Sequence, residues 1–96
     1  KNVEAQLYKM LLYGEGAMFK SHQDSEKEPG MFGTLVICLS SDHEGGAVEV
    51  KHVGKRQLFE TEYAEQSYIC WYSDVRHEVH KVTSGYRWVL TYNLVL

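Results

Sequence analysis

The sequence predicts an all-β domain, a jelly-roll or similar double-sheet barrel of about eight strands. Three observations predict it. Apolar residues come in short runs, each closed by Gly, Pro, Asp or Ser. The runs are rich in β-branched and aromatic residues, as in Leu35-Val36-Ile37-Cys38-Leu39-Ser40 and Ser67-Tyr68-Ile69-Cys70-Trp71-Tyr72. The 96 residues carry one Pro, no low-complexity segment and no internal repeat, which leaves room for one domain only.

The elements follow in order. Val3 to Tyr13 is the first run. Leu7, Met10 and Leu11 fall at helical spacing, so an amphipathic helix competes there, but the Gly14-Glu15-Gly16 turn and the β-rich company favour a strand. Ala17 to Ser21 is a short strand. Ser25 to Gly33 reads as a polar loop holding Glu26, Lys27, Glu28 and the Pro29-Gly30 turn. Thr34 to Ser40 is the most apolar run, and Ser41 to Gly46 a turn with a Gly pair. Ala47 to Val53 and Lys55 to Glu62 flank Gly54. Ser67 to Tyr72 and Glu78 to Val82 come next, and Tyr86 to Leu96 closes the chain after Thr83-Ser84-Gly85. In that last strand Arg87, Val89, Thr91, Asn93 and Val95 share one face. If Arg87 points inward, Trp88, Leu90 and Tyr92 point outward and need a further layer. The chain also opens at Lys1 almost directly on an apolar run. Both features lead us to expect a piece of a longer chain, with flanking segments, helices among them, over that outer face.

Charge narrows the function classes. Ten Lys+Arg against 13 Asp+Glu give a net charge of −3, so no basic excess holds a phosphate backbone and a nucleic-acid partner is not expected on bulk charge. No apolar stretch approaches the ~20 residues of a membrane span, and no membrane partner is expected. Cys38 and Cys70 lie in apolar runs and read as buried reduced thiols rather than a disulfide framework. That favours a reducing compartment, cytoplasmic or nuclear.

The segment with most chemistry is Phe19-Lys20-Ser21-His22-Gln23-Asp24. On an extended strand end His22 and Asp24 point to one side and offer a divalent metal two ligands. Alone, the pair is equally well two solvated loop residues. His43, His52, His77 and His80 are candidates for a third ligand. His77 stands out because Arg87 follows it by ten residues. Two His and one carboxylate occupy one face of an octahedral Fe(II) and leave three positions for a bidentate oxo-acid and O2. Charges balance as well: Fe(II), Asp24, a 2-oxoglutarate dianion and Arg87 sum to zero. Arg suits a buried carboxylate through its planar fork. The other histidines have plainer readings: His43 and His52 as solvent-exposed turn and strand residues, and His80 on the strand face opposite His77. Asp74 reads either as a turn former or as a residue orienting His77, and Trp71, Tyr72 and Trp88 read as core. Glu26 to Glu28 form a solvated loop that borders the open metal positions.

With those residues in view, the chain resembles the catalytic core of the Fe(II)- and 2-oxoglutarate-dependent dioxygenases, prolyl 4-hydroxylase-like branch. The resemblance runs through Leu-Leu-Tyr-Gly-Glu-Gly (11–16), Lys-Ser-His-Gln-Asp (20–24), Gly-Thr-Leu-Val-Ile-Cys-Leu (33–39), Glu-Gly-Gly-Ala-Val (44–48) and His-Glu-Val-His-Lys-Val-Thr-Ser-Gly-Tyr-Arg (77–87). It implies a double-stranded β-helix fold, with His22, Asp24 and His77 as iron ligands. It places Arg87 on the distal carboxylate of 2-oxoglutarate, Tyr13 in the cosubstrate pocket, and Thr34 and Thr91 near that carboxylate. The implied cofactors are Fe(II), with 2-oxoglutarate and O2 as cosubstrates and ascorbate as reductant. The implied reaction couples decarboxylation of 2-oxoglutarate to succinate and CO2 with hydroxylation of a C–H bond, in a protein, peptide or small-molecule substrate. Lys81 stands where many members have Pro, and Cys38 where some carry a second Tyr. Two alternatives use the same residues differently: a catalytically inactive cupin-like metal-binding or recognition module, and a structural β-sandwich with a chance motif.

Overall fold

The computed structural model describes residues 2–62 and 65–96. Within them lie ten strands and no helix: β1 Glu4–Tyr13, β2 Phe19–His22, β3 Met31–Cys38, β4 His43–Gly45, β5 Val48–His52, β6 Lys55–Phe59, β7 Ser67–Tyr72, β8 Arg76–Val79, β9 Val82–Gly85 and β10 Arg87–Val95. The helical reading of the first run is excluded, because β1 is extended through ten residues and pairs with β10 from Glu4↔Val95 to Tyr13↔Arg87. The two strands beyond the expected eight come from Ser41 to Gly46 and Thr83 to Gly85. Both read as turns, and they pair instead as β4 and β9. Strands of three and four residues are too short to show a period of two.

All pairings are antiparallel. One sheet runs β1-β10-β3-β7 and a second β2-β8-β5-β6, with the β4-β9 pair as a third. This is the two-sheet jelly-roll, or double-stranded β-helix. The core lies between the sheets, built on Tyr13, Cys38, Val48, Val79, Val82 and Val89, with Leu11, Val36, Val50, Ile69 and Trp71 packed on it. Along β10 the alternation is as the sequence implies: Arg87, Val89, Asn93 and Val95 are buried, and Trp88 is exposed.

The outer face of the first sheet is apolar. Register sets Leu12 beside Trp88, Met10 beside Leu90 and Leu7 beside Tyr92, with Ile37 and Leu35 on the far side of β10. Tyr68 and Tyr72 of β7 are exposed. The expectation that both thiols are buried holds for Cys38 and fails for Cys70, which is exposed. On β7 the odd positions Ser67, Ile69 and Trp71 face inward and the even ones outward. Tyr72 and Trp88, read as core, are likewise outside it, and Trp71 alone of the three packs on the core.

Candidate metal and cosubstrate site

His22 and His77 are Cα partners across β2 and β8. Directly opposed residues of an antiparallel pair project from one face, so both rings enter the space between the sheets. Their centroids are 4.1 Å apart. Asp24 follows β2 and turns to the same point: its Oδ1 lies 3.5 Å from His77 Nε2 and 4.0 Å from His22 Nε2.

Each of these groups is oriented by neighbours. His22 Nδ1–H donates to the Lys20 carbonyl at 2.7 Å, which leaves the Nε2 lone pair facing the cluster. Asp24 Oδ2 accepts from Thr34 Oγ1 at 2.5 Å and from Trp71 Nε1 at 3.1 Å, which leaves Oδ1 for the histidines. Phe19 stacks on His22, and Trp71 packs on His77. His77 Nδ1 is buried without a hydrogen-bond partner, and the Val75 backbone favours the protonated ring.

Electrostatics keep the cluster ready for a cation. Burial alone would raise the Asp24 pKa, but the Thr34 hydrogen bond, His77, Trp71 and Lys27 outweigh it, and the carboxyl sits below its ordinary range. Burial lowers the His77 pKa, with Asp24 pulling the other way. The result is one carboxylate beside a neutral imidazole. Cis ligands of an octahedral ion with bonds of about 2.1 Å lie about 3 Å apart, so modest closure would seat a metal. One anionic oxygen and two imidazole nitrogens suit Fe(II).

The same cavity, about 100 Å³, is lined by His22, Asp24 and His77, by Tyr13 and Thr34, and by Arg87 and Thr91. Arg87 is 1% exposed. Its guanidinium stands 5.2 Å from the Tyr13 ring centre, which follows from their pairing across β1 and β10. Burial lowers the Arg87 pKa, with Cys38 and Tyr13 opposing, and the group remains a cation. Burial raises the Tyr13 pKa against the pull of Arg87, so the phenol is neutral. Arg87 Nη2 and Thr91 Oγ1 are buried and without hydrogen-bond partners. A pair of unsatisfied groups lining one cavity is what a buried anion would meet. Thr34 lines this cavity too, and its hydroxyl donates to Asp24.

The remaining histidines separate cleanly. His52 is on the surface, 3.1 Å from Asp74; the Asp74 carbonyl also accepts from Gln23. His80 faces away from His77 and meets Glu49 at 2.8 Å. Glu49, Glu78 and His80 are also close enough to hold a metal, but Glu49 is already compensated by Arg56 at 3.1 Å and Lys51 at 3.4 Å. The reading of His43 as solvent-exposed is overturned: it is buried, with Nδ1 against the Ser41 carbonyl and Nε2 against Thr61. Thr61, 2% exposed, touches Arg87. Sequence reasoning passed over it, since nothing in the local pattern distinguishes it from its neighbours.

The family model of the 2OG-Fe(II) oxygenase superfamily matches residues 7–95, and the chain belongs to that superfamily. Among solved structures it is similar to an oxidoreductase of the 2OG-Fe(II) oxygenase family from Burkholderia pseudomallei. Identity is 24% and the TM-score 0.78, over 90% of this chain and 40% of that one. It is similar also to a Pseudomonas putida prolyl-4-hydroxylase, at 18% identity and a TM-score of 0.69, over 100% of this chain and 54% of that one. These two likenesses speak for the fold, and the chain spans about half or less of either structure's length. No curated protein sequence matches it.

Proposed function

We propose that this chain is the core of an Fe(II)/2-oxoglutarate-dependent hydroxylase. His22, Asp24 and His77 would hold the iron. Arg87 would hold the far carboxylate of 2-oxoglutarate, with Thr91 in the wall of the same cavity. The observation that carries the reading is the split use of the Asp24 carboxylate. Oδ2 is occupied by Thr34 and Trp71, and Oδ1 is presented to two Nε2 atoms, in a cavity also lined by a buried arginine with an unpaired nitrogen. A module without turnover has no use for that arginine.

When bound, iron and 2-oxoglutarate supply the oxidation, in which O2 is consumed, 2-oxoglutarate becomes succinate and CO2, and a substrate C–H bond becomes C–OH. The chain's own residues bind and orient. Thr34 and Trp71 fix Asp24, the Lys20 carbonyl fixes the His22 tautomer, and Val89 and Val36 give the cavity an apolar wall. A prolyl side chain in a peptide is the first substrate class to try, since one structural neighbour is a prolyl-4-hydroxylase.

The test is turnover of the full chain with Fe(II), ascorbate, 2-oxoglutarate and a panel of proline-containing peptides, following succinate. Peptide-stimulated succinate that disappears in Asp24→Ala is the expected result. Tight Fe(II) binding with no succinate, with or without peptide, would instead establish the inactive recognition module.

A further inference from the structure

Arg87 enters the cavity on a fully buried stem, and a floppy guanidinium there would lose much of its value as a carboxylate fork. Three observations bear on what holds it. Arg87 Nε lies 3.3 Å from Thr61 Oγ1. Thr61 Oγ1 lies 3.0 Å from His43 Nε2, and His43 Nδ1 lies 3.0 Å from the Ser41 carbonyl. All three side chains are at least nine-tenths buried.

Donor chemistry orders the protons along this line. Arg87 Nε–H can only donate, so Thr61 Oγ accepts. A carbonyl can only accept, so His43 Nδ1 carries the hydrogen and donates to Ser41. His43 Nε2 is then a lone-pair acceptor, and it takes the Thr61 hydroxyl hydrogen. No other assignment satisfies every group. Nε is thereby engaged from behind, while Nη2, without a partner, stays available. Gly46 fixes the stem: a Cβ there would stand 2.9 Å from Arg87 Cδ and 3.1 Å from Val82 Cγ2.

We propose that Thr61 and His43 are positioning residues for Arg87, a proton-ordered relay that aims its fork at the distal carboxylate of 2-oxoglutarate. This presupposes that Arg87 is the cosubstrate anchor. The relay should therefore govern recognition of the second carboxylate and leave metal chelation alone.

The experiment measures dissociation constants in the Mn(II)-loaded full chain for 2-oxoglutarate and for 2-oxobutanoate, which chelates but has no second carboxylate. Thr61→Val and His43→Phe should weaken 2-oxoglutarate roughly tenfold, the size of one buried hydrogen bond. Affinity for 2-oxobutanoate and for Mn(II) should not move, and Thr61→Ser should restore 2-oxoglutarate binding. Equal loss for both acids would mean a general packing role and would overturn the proposal. Arg87→Leu, run in parallel, separates the two claims. If it weakens 2-oxoglutarate while the Thr61 and His43 variants do not, the positioning role fails and the anchor stands. If it changes nothing, the anchor itself fails. Should the variants not fold, the ring 15N shifts of His43 in the metal-free wild-type protein still decide: an Nδ1–H tautomer is expected, and a protonated Nε2 breaks the relay.

Discussion

Asp24 has one oxygen tied down and one oxygen offered, and most of the site's behaviour follows from that division. Thr34→Val or Trp71→Phe frees Oδ2, lets the carboxylate rotate, and should cost about 10–100-fold in metal affinity, as loss of groups behind metal ligands usually does; titration with Mn(II) or Fe(II) would measure it. The same hydrogen bonds set a pH dependence. The Asp24 pKa is lowered from 3.8 in the folded state, so the stability it adds is complete above that value and disappears as pH falls through the folded one. The His77 pKa is lowered from 6.5. The folded state then binds that proton more weakly than the unfolded, and stability is lost as pH falls from about 6.5 toward the folded value. In the metal-free protein, NMR titration should find the His77 midpoint below 6.5, and a midpoint above it would remove this contribution. The metal candidates were legible in sequence because His-x-Asp, a later His and an Arg are chemically scarce combinations. His43 was not, since its burial depends on a pairing partner some forty residues away.

Strand alternation was readable wherever a run exceeded about five residues. In β10 it placed Arg87 and Thr91 on one face, and in β7 it would have placed Cys70 outside had parity been weighed above composition. The β4-β9 pair left no such trace, and it is the element on which Arg87 and His43 most depend. His43 pairs with Gly85, two residues before Arg87. Gly85 has φ +74°, and a Cβ there would stand 2.2 Å from the Asp42 carbonyl oxygen. Gly85→Ala should therefore part β4 from β9 and destabilise the domain by on the order of 3 kcal/mol, readable in a urea melt. It should also weaken 2-oxoglutarate binding more than Mn(II) binding, because Arg87 moves and the metal cluster does not. Val82, fully buried in the same strand, is a plainer case: Val82→Ala should cost about 2 kcal/mol through lost burial and a small cavity.

Across the molecule, the first sheet presents Leu7, Met10, Leu12 and Trp88 to solvent on one side while its other side holds Arg87 and Thr34. A contiguous apolar face of this kind is unusual on an isolated monomer. Residues 1–96 expressed alone should self-associate in sedimentation experiments. A Leu7→Lys, Met10→Glu double variant should reduce that association without altering Mn(II) affinity. A monomeric wild-type domain would contradict this. One feature of the topology reaches beyond the finished fold. Among the described residues β1 pairs with β10 alone, so β1 must wait for β10. During synthesis at ordinary rates, the delay is on the order of ten seconds. Through that interval Leu7, Met10, Leu11 and Leu12 travel as an unpaired apolar ribbon, and neither Tyr13 nor Arg87 has its neighbour. Pairing of β1 is therefore a long-range event that local structure in the first residues cannot secure, and it should form late in refolding.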